Sequence, residues 1–167
     1  EGLALSRRLM LQVAELGLPV ATELLQPLTV PYFADLLGWA AIGARTSESQ
    51  VHREMVSGLE VPTGFKNGTD GGVQIALNAM RAAAHGHQYM GLDEQGRVAL
   101  LQAAGNRNTH LVLRGGSAGS NYDAASVAHA LQALAQAGQS DGIMVDCSHA
   151  NSGKDPQRQP EVLEAVV

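Results

Sequence analysis

Gly64-Phe65-Lys66-Asn67-Gly68-Thr69-Asp70-Gly71-Gly72 is the stretch on which the reading of this chain turns. Val61 to Phe65 reads as a strand, and Lys66 stands at its end. Asn67 and Gly68 make a turn. Asp70 is expected to cap a helix whose apolar positions Val73, Ala76, Leu77, Met80 and Ala83 keep helical spacing. A cation at the carboxyl end of a strand, just before a helix, is where α/β proteins place their chemistry. The arrangement recurs. Arg45 follows the strand Ala40 to Ala44, Arg114 follows Thr109 to Leu113, and His149 follows Ile143 to Ser148. One polar site fed by several strand ends is the simplest picture.

Upstream, Leu5, Leu9, Val13 and Leu16 line one face of a helix from Gly2 to Leu16, stopped by Gly17. Pro19 to Leu24 is a short strand carrying Glu23. Thr29 is expected to open a helix with Pro31 in its first turn and Phe33, Leu36 and Leu37 inside, ended by Gly38. Ser47 and Gln50 form a capping-box pattern ahead of a helix with Val51, Met55 and Leu59. Downstream, Gln88 to Leu92 and Arg97 to Gln102 flank Asp93-Glu94-Gln95-Gly96, which reads as a β-hairpin inserted over about 87–103. Gly115 and Gly116 make a tight turn, and Asn121 or Asp123 caps a helix with Val127, Leu131 and Leu134 that ends at Gly138. A polar loop over 150–159 and a helix over 161–167 finish the chain.

Strand and helix thus alternate about five times, with strand-end residues Glu23, Arg45, Lys66, Arg114 and His149. Such alternation means a parallel sheet within one domain, 1–167. Charged residues gathered at one end of the strands suit the active face of a (β/α)8 TIM barrel, of which this would be a partial one. An open doubly wound sheet is the alternative. It usually carries a Gly-rich phosphate loop after its first strand, and G-x-G-x-x-G does not occur here.

Composition narrows the function. The 167 residues carry a formal net charge of -5, which argues against general nucleic-acid binding. The cations stand singly at strand ends, as suits a small anion. One cysteine makes no internal disulfide, and a reduced cytoplasmic setting is expected. No apolar run approaches the roughly 20 residues of a membrane span, and no signal peptide is visible. The chain starts at Glu1, already in a helix, and stops inside another, so a piece of a longer polypeptide is expected.

Two arginines and a lysine converging on one cavity repel one another unless an anion joins them. Arginine holds phosphate or carboxylate bidentately. Gly43 and Gly115, beside the arginines, are expected to let backbone approach the ligand. The plainer alternative is that each arginine pairs with an acid such as Glu23 or Asp146. His149 suits metal binding or proton transfer. Cys147, two residues away on an expected strand, is either a second ligand or a buried free thiol. The histidines at 52, 85, 87, 110 and 129 lack ligand spacing and read as surface or packing residues.

At these residues a specific resemblance emerges. Gly43-Ala44-Arg45-Thr46-Ser47-Glu48-Ser49-Gln50-Val51-His52-Arg53-Glu54, then Gly64 to Gly71, then Leu113-Arg114-Gly115-Gly116 with Asn121-Tyr122, and Asp146 to Ser152 resemble the type I 3-deoxy-D-arabino-heptulosonate 7-phosphate synthases, in the family's order. The resemblance runs the whole length of the chain and covers roughly the middle half of a full member. It implies a (β/α)8 barrel enzyme that condenses phosphoenolpyruvate with erythrose 4-phosphate, the first step of the shikimate route to aromatic amino acids. It implies that Arg45, Lys66 and Arg114 hold phosphoenolpyruvate, that the Ala44 backbone helps hold its phosphate, and that Glu23 lies near it. It makes His149 one ligand of a divalent metal of the manganese, iron, zinc or cobalt type. With arginines beside it, Lys66 would also serve as proton donor.

The family's other metal ligands and its sugar-phosphate block have no match here, so weak or no metal binding and no complete turnover are expected of this chain alone. Cys147 is not the family's metal cysteine. The resemblance further implies an aromatic amino acid effector, with Gln26, Glu60 and Tyr89 in the neighbourhood of its pocket, and a homo-oligomer is expected. Three alternatives stay open: a related synthase condensing phosphoenolpyruvate with another sugar phosphate, a Schiff-base aldolase using Lys66, and a non-catalytic anion-binding module.

Overall fold

Runs of small and branched apolar residues, each followed by an amphipathic segment, produce a parallel sheet with helices laid on it. The computed structural model describes residues 1–93 and 95–167. Glu94, in the turn of the expected hairpin, lies outside the described residues. The elements are α1 (Gly2–Glu15), β1 (Val20–Glu23), β2 (Leu37–Ile42), α2 (Gln50–Ser57), β3 (Thr63–Lys66), α3 (Gln74–Ala83), β4 (His87–Leu92), β5 (Val98–Ala103), β6 (Thr109–Leu113), α4 (Ala124–Gln136), β7 (Ile143–Val145) and α5 (Gln159–Val166).

Five strands form one parallel sheet in the order β1-β2-β3-β6-β7, and β4 and β5 form a separate antiparallel hairpin. The order follows the chain without reversal, unlike a doubly wound sheet, which switches direction partway. Alternation along each strand separates two faces. Leu24, Ala40, Ile42, Phe65, Leu111 and Leu113 point to the helices and are buried against Val56, Met80 and Leu134 among others. Trp39, Ala41, Lys66, Val112 and Met144 line an open cleft on the other face. Among the described residues no helix is long and apolar enough to cross a membrane.

Several expectations need correction. Helix α1 forms as expected, and its leucine face is largely uncovered: Leu5 is 58% and Leu9 62% exposed, and the helix has no fully buried residue. Arg7 holds it instead, donating to both Asp35 carboxylate oxygens at 2.7 Å and to the Tyr32 carbonyl at 2.6 Å.

The helix expected from Thr29 is two 3-10 turns, Pro27–Tyr32 and Ala34–Leu36, with Pro31, which has no amide to donate, inside the first. Gly38 lies inside β2 rather than ending a helix. Ser47 caps nothing: α2 starts after Ser49, and the buried Ser47 hydroxyl lies 3.2 Å from the Gly43 carbonyl and 2.9 Å from that of Lys66. Asp70 accepts from the Gly72 amide at 2.9 Å in a local turn, and α3 begins after Val73. Asp123, not Asn121, caps α4 by accepting from the Ser126 amide. The hairpin spans His87 to Ala103 as read. The last strand ends early, at Val145, so the argument that Cys147 and His149 share a strand face does not apply.

Candidate active site

Parallel strands deliver their carboxyl ends to one rim, and a cavity of about 610 Å³ opens there. Glu23, Ala44, Arg45, Lys66, Arg114 and His149 all line it. Glu23 and Lys66 are the last residues of β1 and β3, and Arg114 directly follows β6. Arg45 stands beyond β2 in a turn, and His149 lies in the loop after β7.

The charges sort themselves unequally. Lys66 Nζ lies 3.2 Å from Glu23 Oε2 and 3.3 Å from Asp146 Oδ2. Pairing with an acid therefore holds for the lysine, which meets two carboxylates in the cavity it shares with the arginines. It fails for the arginines. Among the described residues neither Arg45 nor Arg114 makes an ion pair, and Arg114 Nη1 donates to the Gly115 carbonyl at 3.3 Å. Two guanidinium groups thus face the cavity without a carboxylate partner.

Both glycines are required by the protein's own packing, and Gly43 also lines the cavity. A Cβ on Gly43 would stand 2.5 Å from Glu23 Oε1, so its absence makes room for that carboxylate. Gly115 has φ of +70°, and a Cβ there would stand 2.8 Å from the Asn151 amide nitrogen.

A chain of asparagines escaped the sequence reading. Asn67, fully buried, accepts from the Arg114 amide at 2.8 Å and donates to the Gly68 and Gly115 carbonyls at 2.8 and 3.0 Å. Asn121 donates to Asn67 Oδ1 at 3.2 Å and accepts from the Gly115 amide at 2.7 Å. Asn151 accepts from the Asn121 amide at 2.9 Å and donates to the Leu113 and Asp146 carbonyls. The three side chains tie together the loops after β3, β6 and β7. Their shared position shortly after strand ends was the available signal.

Asp146, read from the sequence only as an acid for the arginines, pairs with Lys66 and His149 instead. Its Oδ1 accepts from the Ser148 amide at 2.8 Å and its Oδ2 from His149 Nδ1 at 2.8 Å. Half-burial pushes its carboxyl up, but the Ser148 amide, the Lys66 ammonium and the His149 ring outweigh this and leave it below its ordinary value. His149 and Lys154 are the described non-glycine residues with positive φ, +51° and +64°; both line the cavity, and the Lys154 amide donates to the His149 carbonyl at 2.7 Å. Strained backbone of this kind gathers at functional sites. Lys154, exposed in a polar loop, carried no sequence signal.

Among the described residues no group of three or more His, Cys, Asp or Glu is arranged to hold a metal ion. His149 fits as a single donor, and Cys147 is a free, partly buried thiol. His110 is a packing residue as read, accepting from Trp39 Nε1 at 3.0 Å; burial pushes its pKa down. A second cavity of about 560 Å³ lies among the first 3-10 turn, α2 and the hairpin. Gln26 and Tyr89 line it and Glu60 does not.

Comparison with known proteins agrees with the geometry. The profile of the DAHP synthetase I family matches residues 2–167. The chain is 55% identical over 166 residues to the Tyr-sensitive phospho-2-dehydro-3-deoxyheptonate aldolase of Escherichia coli (strain K12), covering 99% of this chain and 46% of that protein. It is 46% identical over 170 residues to the phenylalanine-inhibited enzyme of Saccharomyces cerevisiae, again covering 99% and 46%. The solved structure of the Francisella tularensis phospho-2-dehydro-3-deoxyheptonate aldolase superposes with a TM-score of 0.96 at 44% identity, covering 99% of this chain and 48% of that one. The chain spans about half the length of the relatives it matches, and over that span it belongs to the DAHP synthetase I family.

Proposed function

We propose that this chain carries the phosphoenolpyruvate-binding part of a 3-deoxy-D-arabino-heptulosonate 7-phosphate synthase, which joins phosphoenolpyruvate, erythrose 4-phosphate and water to give the heptulosonate phosphate and inorganic phosphate. One observation carries the reading: two arginines without acid partners and one lysine open into a single cavity at the strand ends. Phosphoenolpyruvate bears a phosphate and a carboxylate on three carbons, and that pair of anions suits this array. Arg45 and Arg114 bind the two anionic groups, the Ala44 backbone supports the phosphate, and Glu23 orients Lys66 through their 3.2 Å contact. Lys66 can turn from its carboxylates to substrate and hand over a proton.

The barrel belongs to the same reading. Sequential strand order, helices on one sheet face and the 0.96 superposition support five units of a (β/α)8 barrel. A divalent metal would be held by His149 together with donors beyond the described residues. When bound, such a cation polarises a carbonyl oxygen. The names of the relatives favour this synthase over a condensing enzyme for another sugar phosphate. Relatives called tyrosine-sensitive and phenylalanine-inhibited support an aromatic amino acid effector, for which the cavity of Gln26 and Tyr89 is the candidate. We place the protein in the cytoplasm as a homo-oligomer, without a nucleic-acid or membrane partner.

Calorimetry with phosphoenolpyruvate tests the site. Binding is expected, and Arg45→Ala and Arg114→Ala should each weaken it at least tenfold. Affinity unchanged in both variants would remove the arginines from the site. Equal affinity for inorganic phosphate would favour the anion-binding module. Borohydride added with substrate should leave Lys66 unlabelled, whereas labelling would favour the Schiff-base aldolase.

A further inference from the structure

We propose that Asp146 is a positioning residue that fixes His149 in its Nδ1–H tautomer and holds Lys66 against the same carboxylate oxygen. The inference rests on the reading above that His149 and Lys66 serve the reaction, and it adds what sets their state. Three interactions constrain the side chain. Oδ1 is taken by the Ser148 amide at 2.8 Å. Oδ2 meets His149 Nδ1 at 2.8 Å and Lys66 Nζ at 3.3 Å. The Asp146 carbonyl accepts from Asn151 Nδ2 at 2.9 Å, which steadies the main chain under the carboxylate. An ionised carboxylate only accepts hydrogen bonds, so the proton of a neutral His149 must sit on Nδ1. Nε2 is then bare, and it has no hydrogen-bond partner among the described residues. The ring lines the cavity with 42% of its side chain exposed. A bare Nε2 with Nδ1–H on a carboxylate is the state in which imidazole ligates a cation or receives a proton. Because one oxygen serves both partners, the ring and the ammonium are placed relative to each other by a single atom.

Asp146→Asn separates this role from simple packing. The amide has the shape of the carboxylate but one acceptor end, so it cannot serve the Ser148 N–H and the His149–Lys66 pair together, and the tautomer reverses where its oxygen stays on the Ser148 N–H. Its NH₂ group then turns to His149 Nδ1 and Lys66, and donation to Nδ1 forces the proton onto Nε2. Nitrogen-15 spectra of the ring at alkaline pH read the tautomer directly in this chain. The unsubstituted chain should show a protonated Nδ1 and a bare Nε2, and Asp146→Asn should reverse them. Zinc chloride titration gives a second readout: His149 ring signals should move in the unsubstituted chain and need at least ten times more zinc in the variant.

An Nε2–H ring in the unsubstituted chain overturns the inference without any variant, as does an unchanged tautomer in an Asp146→Ala protein of native circular dichroism, where no side-chain acceptor at 146 is left to hold Nδ1–H. Tautomer reversal supports the Asp146 role whether or not the ring signals respond to zinc, because His149 is a single donor in this chain.

Discussion

Asn67 supports the site through hydrogen bonds alone, and its amide is used at both ends. Its oxygen takes the Arg114 amide and the Asn121 side chain, and its nitrogen serves two carbonyls. Asn67→Ala leaves the part-buried Arg114 amide without its acceptor, at about 1–3 kcal/mol for the unpaired group, while the Gly115 and Gly68 carbonyls keep other donors. Urea denaturation should record that loss, and calorimetry should find phosphoenolpyruvate binding weakened because Arg114 loses its anchor. Asn67→Asp keeps the size but cannot donate to Gly68 and Gly115, so it should be no more stable than the alanine variant. An aspartate variant as stable as the parent would refute this account. The cations of this rim were legible because each follows an apolar strand and stands near a glycine. Asn67 was not, because its partner Asn121 lies 54 residues away and only folding brings them together.

Helix α1 was legible as an element, and its leucine face is largely uncovered. Periodicity of leucines predicts burial only when a neighbour exists to receive them, and here Leu5 and Leu9 remain in the open. Its attachment is polar, through the Arg7 fork on Asp35 and the Arg7 guanidinium 5.7 Å from the Tyr32 ring centre. Arg7→Ala should speed amide exchange throughout α1 a few-fold and leave α3 unchanged. Unchanged exchange in α1 would mean that other contacts hold it.

The hydrogen bond from Arg7 keeps the Asp35 carboxyl below its ordinary value of 3.8. A carboxylate with a depressed folded value contributes fully above the unfolded value and loses its contribution as pH falls through the folded one. Carbon-13 shifts of α1 should therefore be constant from neutral pH to the ordinary carboxylate range and move only below it. Movement beginning near neutrality would contradict the pin. The proline-bearing 3-10 turns teach the companion lesson that Thr29 and apolar spacing do not by themselves make an α-helix.

At the scale of the molecule, helices cover one sheet face, while Trp39, Val112 and Met144 line the open cleft of the other. Strands β1 and β7 bound the sheet, with no further strand paired to either among the described residues. Open edges and apolar surface promote association. Sedimentation should show mass rising with concentration, and acrylamide should quench Trp39 less in the associated form. A monomer at every concentration would refute this. Phe65, fully buried where β3 meets the helices, should cost about 3–5 kcal/mol when cut to alanine, measured by urea unfolding.

Local sequence was enough for the strand–helix rhythm, the parallel sheet, the hairpin and the rim on which the charges gather, because period and turn chemistry act over a few residues. Only the assembled sheet decided which cation is neutralised: Glu23 lies 43 residues from Lys66, and strand register alone sets them 3.2 Å apart. The left-handed His149, the asparagine chain and the uncovered leucines have the same origin, since each depends on what distant segments bring, or fail to bring, to the same place.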